Sequence, residues 1–158
     1  MKAILMSIKP QWVSKILNGE KTIEIRKRFP KDYVGWVYVY CTKDKKYANL
    51  INRGGFLTGM VVARFWCDKV EEIAKEDYYP NDDLMSATMW FEFHTKTMDK
   101  EQILKKSCLR KSELHNYLNL KRGYAIHITK LEIFDEPRTL QPFFDLDRPP
   151  QSWCYIEI

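Results

Sequence analysis

The chain is short of the residues that mark several protein classes: six glycines, seven prolines, three histidines and four cysteines in 158 residues. Gly and Pro at this level exclude a collagen-like or low-complexity fibre, and a composition 45% hydrophobic and 30% charged is too apolar for a disordered segment. Long apolar runs are missing too. A spanning helix needs about 20 largely apolar residues, and the first apolar run, Ala3 to Ile8, meets Lys9 before a secretory h-region can form. A cytoplasmic protein with no membrane partner is the expectation.

Cys41, Cys67, Cys108 and Cys154 stand 26, 41 and 46 residues apart, so no close pair offers a zinc knuckle or a redox motif. All four read as reduced thiols rather than a disulfide scaffold, and Cys41, Cys67 and Cys154, set among Val, Phe, Tyr and Ile, read as small buried hydrophobes. Phosphate-binding GxxxxGK[ST], dinucleotide-binding GxGxxG, HExxH and GxSxG are all missing. His94, His115 and His127 are scattered, and His127, alternating with Ile126 and Ile128, reads as a partnered structural histidine. No metal and no cofactor is expected.

Charge is present and unevenly placed. Residues 1–53 hold 12 Lys and Arg against 4 acids, a net +8, whereas residues 54–158 hold 14 against 17, a net −3. An N-terminal half this basic suits an anionic partner, nucleic acid first and anionic lipid second, although a solvated lysine surface explains the surplus equally well.

The hydrophobic pattern predicts a strand over Ala3–Ile8, then a short helix from Pro10 to about Asn18, with Trp12, Val13, Ile16 and Leu17 on one face and Gly19 as the left-handed stop. From Lys21 the period becomes two: Ile23 and Ile25 face one way, Thr22, Glu24, Arg26 and Arg28 the other. Further strands are expected over Trp36–Thr42, over a long bent run from Phe56 to Val70, over Tyr124–Phe134 and over Trp153–Ile158. A helix opens at Ser112 and closes at Lys121-Arg122-Gly123, and Asp44–Asn49 reads as a loop. Residues 71–110 show no sustained period. Five or six strands with short helices that do not alternate as βαβ units predict an α+β fold built on a small mixed or antiparallel β-barrel.

One run stands out: Gly19-Glu20-Lys21-Thr22-Ile23-Glu24-Ile25-Arg26, at a helix-to-strand junction. It matches the G-x-K-x-x-E-x-R signature in full, and with Ser7-Ile8-Lys9-Pro10, the strand Tyr38–Thr42 and Gly123–Ile128 the chain resembles the ASCH domains, whose fold is similar to that of PUA domains. The resemblance covers residues 2–42 and 121–157. It implies one ASCH, PUA-like domain over residues 1–158 with an insertion at about 74–120, and a cleft beside the motif that accepts RNA or a modified nucleoside. One branch that this domain resembles hydrolyses acetylated cytidine with the motif lysine and a Thr at the position of Glu24. Glu24 replaces that hydroxyl nucleophile by a group suited to act as a base, and the branch's further carboxylate has Glu71 and Glu92 as its two candidates here.

By residue chemistry, Glu24 can hold the Arg26 fork in place while donors stay available for a phosphate or a base edge. A rim cluster of Lys21, Glu24 and Arg26 serving only local order competes with that reading. Lys9, Arg28, Lys43, Lys45 and Lys46 are expected to guide a phosphate backbone. Trp36, Tyr38 and Tyr40 share a strand face; Trp36 and Tyr38 suit the core, and Tyr40 is the better candidate for stacking a base. Gln151 and Ser152, in Arg148-Pro-Pro-Gln-Ser-Trp153, offer hydrogen bonds to a ligand edge. Binding of RNA or a modified nucleoside by Lys9, Lys21, Glu24, Arg26, Arg28, Tyr40 and Ser152 is the first expectation. A hydrolase of an acylated pyrimidine nucleoside or of RNA, with Lys21 and Glu24 catalytic, is the second. The third is an adaptor that engages a protein partner through an apolar patch of Trp90, Phe91 and Phe93.

Overall fold

The computed structural model describes residues 1–46, 58–78, 90–119 and 122–158. These residues form β1 (Lys2–Ile8), α1 (Pro10–Leu17), β2 (Ile23–Arg26), β3 (Gly35–Cys41), β4 (Met60–Cys67), β5 (Val70–Tyr78), β6 (Trp90–His94), α2 (Lys100–Ser107), α3 (Lys111–Leu118), β7 (Gly123–His127), β8 (Thr129–Arg138) and β9 (Trp153–Glu157). One sheet runs β8-β4-β3-β1-β9 and the other β2-β7-β5-β6. The class is α+β, and the paired sheets with three short helices fit the expected PUA-like barrel.

β1 is parallel to β3 and antiparallel to β9. A parallel pair requires a crossover, and α1 and β2 lie in that connection. Apolar on both faces, β1 feeds two cores by alternation. Ile4, Met6 and Ile8 join Val13 and Ile16 of α1, Val37 and Val39 of β3, and Phe65 of β4. Ala3 and Leu5 face the opposite way, into a cluster with Tyr38, Tyr40, Ile156 and Phe144. A third cluster sets Ile103 of α2 and Leu114 and Leu118 of α3 against Ile23, Ile25, Ile73 and Phe93.

The nine strands among the described residues exceed the five or six expected because two runs divide at corners between the sheets and β6 arises in the segment without a readable period. The run expected over Phe56–Val70, of which residues 56 and 57 lie outside the described residues, breaks after Cys67, and Val70 opens β5 in the other sheet. Tyr124–Phe134 breaks at Ile128, which leaves β7 in one sheet and β8 in the other. An apolar run stays buried through such a corner, so hydrophobicity does not register the turn. Gly59 does mark a bend, at φ +80°. The last predicted helix begins at Lys111, where the Glu113 carboxylate accepts the Arg110 backbone N–H (2.8 Å), and it stops at Asn119 in the left-handed region (φ 45°) rather than at 121–123. Of the expected Asp44–Asn49 loop, residues 47–49 lie outside the described residues.

Residues 74–120, expected as an insertion in which only the helix from Ser112 was legible, supply most of β5 together with β6, α2 and α3. α2 is fixed by a capping box, Gln102 N–H to Asp99 (2.9 Å) and Asp99 N–H to the Gln102 side chain (3.0 Å). The four cysteines are free, and burial pushes the Cys41 and Cys67 thiols up to about 12, which keeps them protonated and inert. Among the described residues, no helix is long and apolar enough to cross a membrane.

Candidate functional site

β2 was expected to carry a charged face, and that face is buried. Its even-period residues Ile23 and Ile25 pack on the helices, and Glu24 and Arg26 turn the other way, into a cleft of about 290 Å³. Gly19, at φ +81°, turns the chain out of α1, and the Lys21 N–H returns to the Lys15 carbonyl (2.9 Å). This turn drives the Lys21 side chain inward, where the residue is 2% exposed.

A buried ammonium is tolerated only with partners, because desolvation costs several kcal/mol for each ion. Lys21 Nζ donates to the Ser107 carbonyl at the end of α2 (2.8 Å), pairs with Glu24 Oε2 (3.1 Å) and sits 5.5 Å from the Trp12 ring centre. Glu24 Oε1 pairs with Arg26 Nη2 (3.0 Å). The same Nη2 donates to the Ser7 carbonyl (2.8 Å), and Arg26 Nη1 donates to Ser152 Oγ (3.3 Å). Glu24 thus bridges two cations, one from each side, and β1, β2, α2 and the segment before β9 are tied together at the cleft floor.

Lys9 and Gln151 line the same cleft, as do the apolar walls Trp12, Ile25, Leu109 and Tyr117. Ser7 Oγ donates to the Pro150 carbonyl (2.6 Å), which fixes the proline-rich segment that carries Gln151. The structure therefore brings together Lys9, Lys21, Glu24, Arg26 and Ser152 among the expected site residues. Tyr40 is not with them: it is 4% exposed and packed with Leu5, Val61 and Phe144 on the far face of the sheet. Its position on β3 sends it to that face together with Tyr38, so it cannot stack a base. Arg28 lies outside the cleft lining, and its carbonyl accepts the Trp153 indole N–H (2.8 Å). Lys43, Lys45 and Lys46 are exposed and also lie outside it.

Sequence reasoning missed Trp12, Leu109 and Tyr117 as site residues. Trp12 read only as a helix core position, Tyr117 only as part of the helix expected from Ser112, and Leu109 comes from the segment without a readable period. Glu92, one candidate for a further carboxylate, pairs with Lys100 (2.7 Å). Glu71, the other, pairs with His127 (2.7 Å) and lines a different part of the molecule. Of the apolar patch expected for a protein partner, Phe93 is buried, and the side chains of 90 and 91 lie outside the described residues. Among the described residues, no group of three or more His, Cys, Asp or Glu is placed to hold a metal. A more open depression at Pro30–Val34 and Tyr155 contains only exposed charges, Lys31 and Asp32.

With the site drawn, its architecture can be set beside known proteins. No family model matches the sequence, and no curated protein matches it. Among solved structures, ASCH from Zymomonas mobilis is 15% identical with a TM-score of 0.61, and covers 98% of this chain and 87% of its own. Two single-substitution mutants of the same Zymomonas mobilis protein match at 13% and 14% identity, with TM-scores of 0.63 and 0.60; each covers 98% of this chain, and 87% and 89% of its own. The likeness spans nearly the whole chain and establishes the fold as that of an ASCH domain.

Proposed function

We propose that this ASCH-fold protein binds RNA or a modified nucleoside in the cleft built on Lys21, Glu24 and Arg26. The observation that carries the reading is the buried relay of one carboxylate between two cations, set at the floor of a cleft with apolar and aromatic walls. Charged groups are buried in this way where they are held in one geometry for a ligand or lock a structure. Here they face a cavity at the small end of the roughly 300–1,000 Å³ typical of ligand pockets, a size suited to one nucleoside unit at a time. Trp12 and Tyr117 supply faces against which a base ring can pack.

Binding is favoured over hydrolysis by Glu24 itself. Each of its oxygens is held against a cation at 3.0–3.1 Å, which leaves neither turned toward a substrate.

The test is a titration of the purified protein with modified and unmodified nucleosides and short single-stranded RNAs, with Lys21→Ala as the paired control and product release followed in parallel. Saturable binding lost in the variant is the expected result. Binding that is indifferent to Lys21 would remove the cleft as the site, and turnover lost in both Lys21→Ala and Glu24→Gln would establish the hydrolase instead.

A further inference from the structure

We propose that the cleft is an oxyanion seat, filled by the phosphate group of a nucleotide rather than by the face of a neutral nucleoside; this deepens the function proposed above and rests on it. Among the described residues, the charged groups that line the cleft are Lys9, Lys21 and Arg26 against Glu24 alone, three cations to one carboxylate. The end of α2 offsets about half a charge where the Ser107 carbonyl meets Lys21. A positive balance remains, in a setting whose apolar walls weaken screening by water.

Hydrogen-bond donors point the same way. An ammonium has three N–H groups, and Lys21 gives one to the Ser107 carbonyl while it faces Glu24 as an ion pair. A guanidinium has five, and Arg26 gives one on Nη2 to the Ser7 carbonyl and one on Nη1 to Ser152, with Nη2 also paired by charge with Glu24. Its Nε is buried without a partner among the described residues. A buried donor without an acceptor is costly, and few native groups are left so. Both Glu24 oxygens are already engaged, so the cleft offers donors and positive charge and asks its ligand for acceptors and negative charge. A phosphate oxygen meets that demand through a point-charge lysine and an arginine fork. A neutral base, whose amino groups are themselves donors, leaves the charge uncompensated.

The experiment is calorimetric titration of the full chain with the four ribonucleosides, their 3′- and 5′-monophosphates, and inorganic phosphate, at low salt and again at about 200 mM. A monophosphate is expected to bind at least about tenfold tighter than its parent nucleoside, and the advantage should shrink as salt rises. Arg26→Gln should erase that advantage. Lys9→Ala, an exposed rim substitution with no threat to folding, should reduce it with an unchanged Tm. Equal affinity for nucleoside and monophosphate overturns the oxyanion seat while nucleoside binding stands. Binding of inorganic phosphate that displaces no nucleotide, with no nucleotide affinity, keeps the seat and overturns the nucleic-acid reading. Silence from every probe overturns both.

Discussion

Two buried carboxylates organise this molecule, and they do opposite things. Glu24 stands between two buried cations at the floor of a cleft, with the Arg26 Nε–H left without an acceptor among the described residues. Glu71, 6% exposed, is closed in on every side. Its Oε1 accepts from Thr95 Oγ1 (3.1 Å), Thr97 Oγ1 (2.7 Å) and the Thr97 N–H (3.0 Å), and its Oε2 meets His127 (2.7 Å) and Lys69 (3.1 Å). An ionised carboxylate only accepts, so the proton of the neutral imidazole sits on His127 Nε2. Burial pushes the Glu71 carboxyl up, but the hydrogen bonds from Thr97, Lys69, His127 and Thr95 outweigh it and hold the group at about 2. The same burial, with Lys69 nearby, lowers the His127 imidazole against the pull of Glu71. Saturation makes Glu71 a strut that pins the turn after β6 to β5 and β7, and the unpartnered Arg26 Nε beside Glu24 sets the other cluster apart as the proposed binding site. Burial of charge alone does not distinguish the two; the count of satisfied partners does.

The comparison can be broken in order of effect. Glu71→Ala strands the His127, Thr95 and Thr97 donors and should cost about 3 kcal/mol in chemical denaturation, with ligand affinity unchanged in the folded protein. Acid should act through the same strut. The folded Glu71 holds its proton more weakly than the unfolded one, so between about pH 4.5 and 2 the unfolded chain binds more protons, and stability falls by roughly 3 kcal/mol as pH drops. His127, also lowered, adds a smaller loss of the same sign below pH 6.5. Melts across this range that are identical for wild type and Glu71→Gln would remove the strut from the account.

In the cleft, Arg26→Gln should weaken the ligand by on the order of a hundredfold, since one partner of a buried charge pair is lost. Gly123→Ala tests whether the two regions are mechanically joined. A Cβ there would stand 2.5 Å from Leu118 Cδ2 and 3.3 Å from the Arg26 carbonyl, with Leu118 fully buried. It should cost about 1–3 kcal/mol in stability and shift ligand affinity with it. Tyr117→Leu should have the smallest effect, a several-fold loss of affinity with stability nearly unchanged, since the ring is 39% exposed and offers mainly a stacking face.

How far the sequence could be read differs in the same way between these regions. The site's charged core was legible because its three residues sit within six positions of one strand and its approach: alternation put Glu24 and Arg26 on one face, and Lys21 stood at the strand entry. Helix α1 and its Gly19 stop were legible for the same local reason. Tyr40 was misplaced because alternation tells which residues share a face but not which face is wet. The cleft walls from α3 and the approach to it, and the Glu71 strut, depend on contacts between residues 24 and 90 positions apart in sequence, such as Glu71 with Thr95 and Lys27 with Tyr117, which no local period encodes. The corners at Asp68 and Ile128 were invisible because hydrophobicity continues through them.

The most direct measurement of the central claim is the affinity of one short single-stranded RNA for wild type, Arg26→Gln and Glu71→Gln at a single salt concentration, with the melting temperature of each recorded. The account predicts that Arg26→Gln loses binding far beyond what its fall in Tm explains, while Glu71→Gln loses stability and keeps binding. Equal binding by all three proteins, or binding lost in proportion to Tm in both variants, would contradict it.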